Sequence, residues 1–404
     1  MTGYVYPNEV ELWWSVLITL YPYITGLVAG AFVISSLYHV FGVTALKPVS
    51  RLALLAALAT LIVAPMPLLL HLGQPLRALS IMWTPHLTSA MAGFGYIYSF
   101  YLIIVVLEIW FVYRQDLVYY AQNSTSGLAR LFYRILTLGS YDVSEYSLKM
   151  DHKIYSILAV IGIPSAAFLH GYVGFIFGAI KANPWWSTPL MPIIFLISAI
   201  VSGTAFLIIV YTFSCRVRRV KVDMTCLMSL NKYLWAFLTF DIILELLEVL
   251  HKGYEGRDEW ASISGLLTEK IPVSFIGIQL ILGAAIPFIL LLIARSSKRL
   301  PILASQILTI GSAALIMIGV YAMRFNVIIG GQMISKSLMG FTTFHAKFFG
   351  KEGIGVAILL IVLAFTILAV LTRILPPWLT DSKEKDGIHK HSPGKHSPGQ
   401  NFSA

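Results

Sequence analysis

Charge is what this sequence has little of. Asp, Glu, Lys and Arg make up 12% of its 404 residues against 57% hydrophobic, whereas a chain that must keep its surface wet carries roughly 25% charge. Cysteine is scarcer still: Cys215 and Cys226 are the two present, flanking a basic stretch without CxxC or CxxCH spacing. That leaves no ligand set for an iron–sulfur cluster, a structural zinc or a covalent haem within this chain. No apolar run holds two well-spaced histidines, so the paired axial ligands of a b-type cytochrome are missing too. A basic n-region with a cleavage site is also lacking from the opening MTGYVYPNEVELWW, so the first span is expected to be retained as the insertion signal.

What is there is apolar length. Runs near 13–42, 50–73, 89–113, 152–180, 188–214, 228–251, 271–294, 301–323 and 353–376 each match the roughly 20 residues that cross a hydrocarbon core. The fold class is therefore all-α, a polytopic transmembrane helical bundle of about nine spans over residues 1–380 in a cell membrane. The net charge of +10 could suggest nucleic acid, but its distribution argues otherwise. Arg216, Arg218, Arg219 and Lys221 share one interhelical loop, Arg295, Lys298 and Arg299 another, Lys47 and Arg51 a third, and further lysines lie in the tail. One orientation, with the N-terminus outside and the C-terminus cytoplasmic, puts all four segments on the positive inner side. Residues 381–404 hold KHSPG twice in tandem and are expected to be a disordered cytoplasmic tail. The connection from Arg114 to Asp151 suggests a short helix lying at the inner interface.

Charged groups at bilayer depth are costly, about 2.5–3.5 kcal/mol each on insertion scales. The sixth run contains Asp241, Glu245 and Glu248 at i, i+4 and i+7, one helical face suited to carrying protons, or else to pairing with Arg324. In the fourth run His170 and Tyr172 lie roughly 12–15 Å inside the outer end. Tyrosine and histidine donors at that depth suit a quinone, whose two carbonyl oxygens need donors and a proton route. Residues two apart on a regular helix point about 200° apart, however, so the two need a loosened turn at Gly171 or Gly174 to face one ligand. Tyr21 and His71 fall at a similar height. His39 and Glu108 lie near the inner ends of spans one and three, where snorkelling to the interface is a better reading than an inner proton entrance.

Several segments resemble the NrfD/PsrC family of polysulfide reductase membrane subunits. They are TGLVAGAFVISSLYH at 25–39, His71-Leu72-Gly73-Gln74-Pro75-Leu76-Arg77, TPHLTSAMAGFG opening the third span, and above all Tyr172 and Gly174 followed by Pro184, Trp185 and Leu190 through Gly203. The length, the acidic sixth span and Arg324 to Gln332 are more similar to the longer HybB, DsrP and HmeB types. The resemblance implies a membrane subunit of a respiratory oxidoreductase complex rather than an enzyme alone. It would exchange electrons between menaquinone or another quinone and a ferredoxin-like iron–sulfur partner on the outer face, with cytochrome c and heterodisulfide-reductase-like subunits as further partners. It also implies that Tyr172 contacts the quinone, and more loosely Tyr21. Many members carry an acidic residue where this sequence has His71, and an arginine at Gln74. The reading from another class is a proton-coupled secondary transporter, but no convincing internal repeat supports it.

Overall fold

The computed structural model describes residues 3–9, 11–86, 88–256, 258–297 and 300–378. The expected tail at 381–404, and Lys298 and Arg299, lie outside the described residues. Helix α1 (Val16–His39) opens on the Ser15 hydroxyl, which accepts from the Leu17 amide. The second span breaks at Ala64–Pro65 into α2 (Lys47–Val63) and α3 (Met66–His71), because proline cannot supply the next helical amide. There follow α4 (Ala90–Asn123), capped by Ser89, the short α5 (Gly127–Leu136), and α6 (Glu145–Gly178), capped by Ser144 and continuous through Pro164. Next come α7 (Met191–Val217) and α8 (Met224–Glu255), the latter started by Asp223 and ended by Gly256 at φ 60°, a left-handed conformation that glycine adopts without strain. The remainder is α9 (Trp260–Gly265), α10 (Ile286–Ser296), α11 (Ile302–Phe325), α12 (Gly331–Met333) and α13 (Ile354–Ile374). Wider π-helical turns occupy Leu266–Lys270, Val273–Ala285 and Asn326–Gly330.

Among the described residues, eight helices are long and apolar enough to cross a membrane. The sixth expected span, 228–251, falls on α8, which is not one of these eight and whose 32 residues carry Lys232, Asp241, Glu245, Glu248, Lys252 and Glu255. The expected boundaries were too tight at the connection from Arg114 to Asp151. Here α4 and α6 overrun their expected ends at 113 and 152, and a buried ion pair, Arg114 Nη2 to Asp151 Oδ2 at 2.6 Å, joins them. Arg114 also donates to Ser140, Ser147 and the Asp142 carbonyl. The amphipathic α5 lies between them with Leu128, Leu131 and Ile135 exposed.

The buried centre is α1, packed against α2, α6, α7 and α11. Its approach to α7 is set by two glycines: a Cβ on Gly30 would stand 2.5 Å from the Ala199 carbonyl oxygen and 2.7 Å from the Gly203 Cα. Without a water-driven force between helices in lipid, such close backbone contact supplies the packing. Outward faces, such as Phe100, Ile103 and Leu107 of α4 and Leu359 and Val362 of α13, are exposed and apolar. At the end bearing the N-terminus the chain before α1 lies against 334–343. Leu12 N donates to the Thr343 carbonyl at 3.3 Å, and Glu9 accepts from Lys336 at 2.9 Å and from the Ser335 hydroxyl at 3.0 Å.

Candidate functional site

Toward that N-terminal end, Arg324 in the last turn of α11 is fully buried. Its Nη2 lies 2.8 Å from the Ser198 hydroxyl oxygen, 3.1 Å from the Phe195 carbonyl, both on α7, and 3.2 Å from His170 Nε2 on α6. The guanidinium carbon stands 3.9 Å over the Phe195 ring. Because guanidinium only donates, His170 Nε2 must accept, which places the imidazole proton on Nδ1. That Nδ1 and Arg324 Nε are both buried and without a hydrogen-bond partner among the described residues. Two unpartnered buried donors in one neighbourhood require an explanation, since each costs roughly 1–3 kcal/mol when left unpaired.

The acids of α8 divide. Asp241 and Glu245 are in electrostatic reach of Arg324. Asp241 Oδ1 is buried and unpartnered, while Glu245 accepts from Gln279 Nε2 at 2.9 Å. Gln279 in turn accepts from Asn326 Nδ2 at 2.7 Å. Both amides lie on π-helical turns, whose changed side-chain phase lets them meet. Glu248 faces elsewhere. It pairs with Lys252 at 3.2 Å and accepts from the Thr188 hydroxyl at 2.8 Å, at the edge of a cleft of about 740 Å³ lined also by His251, Glu255 and Trp260. Lys252 donates to the carbonyls of Pro184 and Trp185 at 2.6 and 3.1 Å. The indoles of Trp185 and Trp186 donate to the carbonyls of Asn326 and Val327 at 3.1 and 2.6 Å. The Pro-Trp segment thus fastens the turn that carries Arg324 and Asn326.

Helix α6 is unbroken across Gly171 and Gly174, so His170 and Tyr172 face different ways. His170 turns inward to Arg324, and the Tyr172 hydroxyl lies over Gly93 in the first turn of α4, with Phe168 and Phe175 beside its ring. Tyr21 connects the two sides. It is buried, its ring meets Phe94 edge-on at 6.2 Å, and it is in electrostatic reach of Arg324. His71 stands apart, with Nδ1 2.8 Å from Glu352 Oε2 in the cleft between the N-terminal strap and the loop before α13. Sequence reasoning missed Ser198, Gln279 and Asn326, and treated Arg324 only as a counter-ion. The buried arginine in the RFNVIIGGQ segment was the signal available for it.

Comparison with known proteins agrees with this architecture. Residues 6–336 match the family described as "Polysulphide reductase, NrfD". A selenate reductase subunit of Mesobacillus selenatarsenatis is 35% identical over 242 residues, 59% of this chain and 56% of that one. A putative dimethyl sulfoxide reductase membrane subunit of Halobacterium salinarum is 29% identical over 288 residues, 71% of this chain and 62% of its own length. The chain thus spans less than two thirds of either relative. The "Hdr-like menaquinol oxidoreductase integral membrane subunit" of Archaeoglobus fulgidus is 24% identical over 328 residues, 81% of this chain and 72% of that one. With a family match over most of its length and eight helices fit to span a bilayer, the chain is a multi-pass integral membrane protein and belongs to the NrfD family of polysulphide reductase membrane subunits.

Proposed function

We propose that this chain is the quinone-reactive membrane subunit of a multisubunit respiratory oxidoreductase, with its quinone headgroup held at His170 and Arg324 beside Tyr21, and with Tyr172, on the other face of α6, lining the approach between α6 and α4. The observation that carries this is the pair of buried, unpartnered donors, His170 Nδ1 and Arg324 Nε. A quinone carbonyl oxygen accepts such hydrogen bonds, and the aromatic rings of Tyr21, Phe94 and Tyr172 suit its flat apolar body. A quinone supplies two-electron chemistry with uptake or release of two protons. The residues of this chain bind and orient it, and Asp241 and Glu245 hold and pass protons beside it. Glu248 extends the acidic series toward the cleft at the N-terminal end, whereas His71, engaged by Glu352, lies outside the proposed site.

Menaquinone is the favoured quinone, in keeping with the name of the Archaeoglobus relative. Electrons would pass to or from an iron–sulfur partner, ferredoxin-like and docked on the outer face. Cytochrome c and heterodisulfide-reductase-like subunits are candidates for the rest of the complex.

The test is binding of a photoreactive menaquinone analogue to the purified complex. Binding at least tenfold weaker in His170→Ala and in Arg324→Gln, with assembly retained, supports the site. Tyr172→Phe should lower quinol turnover and leave assembly intact. Unchanged analogue binding in both first variants overturns the site. A chain that purifies without an iron–sulfur partner and catalyses proton-driven solute uptake in vesicles would establish the transporter reading instead.

A further inference from the structure

A second cluster of buried polar groups lies toward the opposite end of the bundle, at Glu108 on α4. Glu108 is roughly 9 Å deeper than Arg114, six residues along the helix. It does not snorkel, contrary to expectation: its side chain is fully buried and neither carboxyl oxygen has a hydrogen-bond partner among the described residues. Toward this end of the bundle Arg114 is engaged by Asp151 at 2.6 Å and Arg51 by Asp116 at 2.7 Å. Glu108 is therefore not a member of a structural ion pair.

Two tyrosines lie within reach of it, and a histidine stands beyond one of them. Tyr101, two turns away on α4, is in electrostatic reach of Glu108 and has its hydroxyl buried and unpartnered. Tyr155 of α6 is in electrostatic reach as well. His39, in the last turn of α1, has its ring centroid 5.1 Å from that of Tyr155, and both its ring nitrogens are buried and unpartnered. His39 and Tyr155 form part of the wall of a cleft of about 460 Å³, completed by Tyr38, Lys47, Arg51, Asp151 and His152.

An unpaired carboxylate in this position would cost several kcal/mol, a cost the neutral carboxyl avoids by carrying a proton. We propose that Glu108 is a proton-holding site loaded from this cleft through His39 and Tyr155, at the end of the bundle opposite Arg324. Each hop moves one proton and no electron. A hydronium in the cleft protonates one ring nitrogen of His39 and leaves as water, the other nitrogen releases its proton to the Tyr155 hydroxyl oxygen, and that hydroxyl passes its own proton to the Glu108 carboxylate, so that His39 and Tyr155 end neutral. The inference does not depend on the quinone assignment.

The test uses the intact complex in liposomes and the infrared carboxylic C=O band that Glu108→Gln removes. After transfer to D2O, deuterium exchange of this band should slow at least tenfold in His39→Phe and in Tyr155→Phe. If His39→Phe fails to assemble, Tyr155→Phe alone carries the measurement. The proposal is overturned if Glu108→Gln removes no carboxylic band, or if exchange is unchanged in the assembled variants. Menaquinone-analogue binding, measured on Glu108→Gln, separates this outcome from any failure of the site at Arg324.

Discussion

Replacing Arg324 by glutamine removes a buried charge while keeping a polar head of similar reach. The wild-type guanidinium has three acceptors within 3.2 Å and stacks on Phe195 at 3.9 Å. Hydrogen bonds from a charged donor contribute about 1.5–3 kcal/mol each, and a desolvated cation–π contact about 2 kcal/mol. One group makes all of these contacts and must also be desolvated, so they do not sum. The net cost expected for losing one member of a buried charge set is about 3–5 kcal/mol. The informative quantity is the coupling to Asp241, which has an unpartnered oxygen and is in electrostatic reach of Arg324. If Arg324 compensates Asp241, then Arg324→Gln with Asp241→Asn should be more stable than the sum of the single losses by about 1–3 kcal/mol. Unfolding the complex in mixed micelles with rising denaturing detergent gives all four stabilities. Strict additivity would refute the idea that these residues form one electrostatic unit.

Gly30→Val forces a Cβ to within 2.5 Å of the Ala199 carbonyl oxygen, so α1 and α7 must part. A loss of at least about 1–3 kcal/mol is expected as a lowered unfolding midpoint, and an unchanged midpoint would show that the crossing is looser than described. Lys252→Met leaves Glu248 buried without its cation and should cost about 3–5 kcal/mol. Adding Glu248→Gln should recover part of that loss, and no recovery would mean that the contacts of Lys252 with the Pro184 and Trp185 carbonyls matter more. Glu9 lies outside the spans. Desolvation pushes its carboxyl pKa up, but hydrogen bonds from Lys336 and Ser335 outweigh it and hold the value below the usual carboxylate range. A lowered folded-state pKa contributes stability that is present above the unfolded value, about 4.3, and is lost as pH falls through the folded one. Hydrogen exchange at 334–343 should accordingly rise on acidification below about pH 4.3 in wild type, and much less so in Glu9→Gln. Equal acid sensitivity in both would place the linkage elsewhere.

Eight of the nine expected spans were legible because an apolar run of sufficient length has few fates other than a helix in lipid, and the structure moves their ends by several residues without changing their order; the sixth, on α8, carries too many charged residues to count with them. The rotation between His170 and Tyr172 was legible as well, since 100° per residue holds wherever a helix is regular, and α6 is regular across both glycines. Partners were not legible. His71 meets Glu352 across 281 residues of sequence, and Arg324 meets His170 across 154, separations over which no local pattern speaks. The meeting of Gln279 with Asn326 depends on two π-helical stretches, whereas a count at 3.6 residues per turn assigns them no common face. Glu108 shows the limit most sharply. One carboxylate near the end of an apolar run has two physical solutions, reaching back to water or remaining neutral inside, and sequence position weighs them almost equally. The burial of its neighbours decides between them: with Arg51 and Arg114 already paired and Tyr101 and His39 also lacking partners, the carboxyl has no cation among the described residues to hold it ionised. The same reasoning separates it from Glu248 on α8, which has a cation, Lys252, at 3.2 Å and a hydrogen bond from Thr188. Acids in a membrane helix are thus told apart by which neighbours remain unpaired, and that is a property of packing.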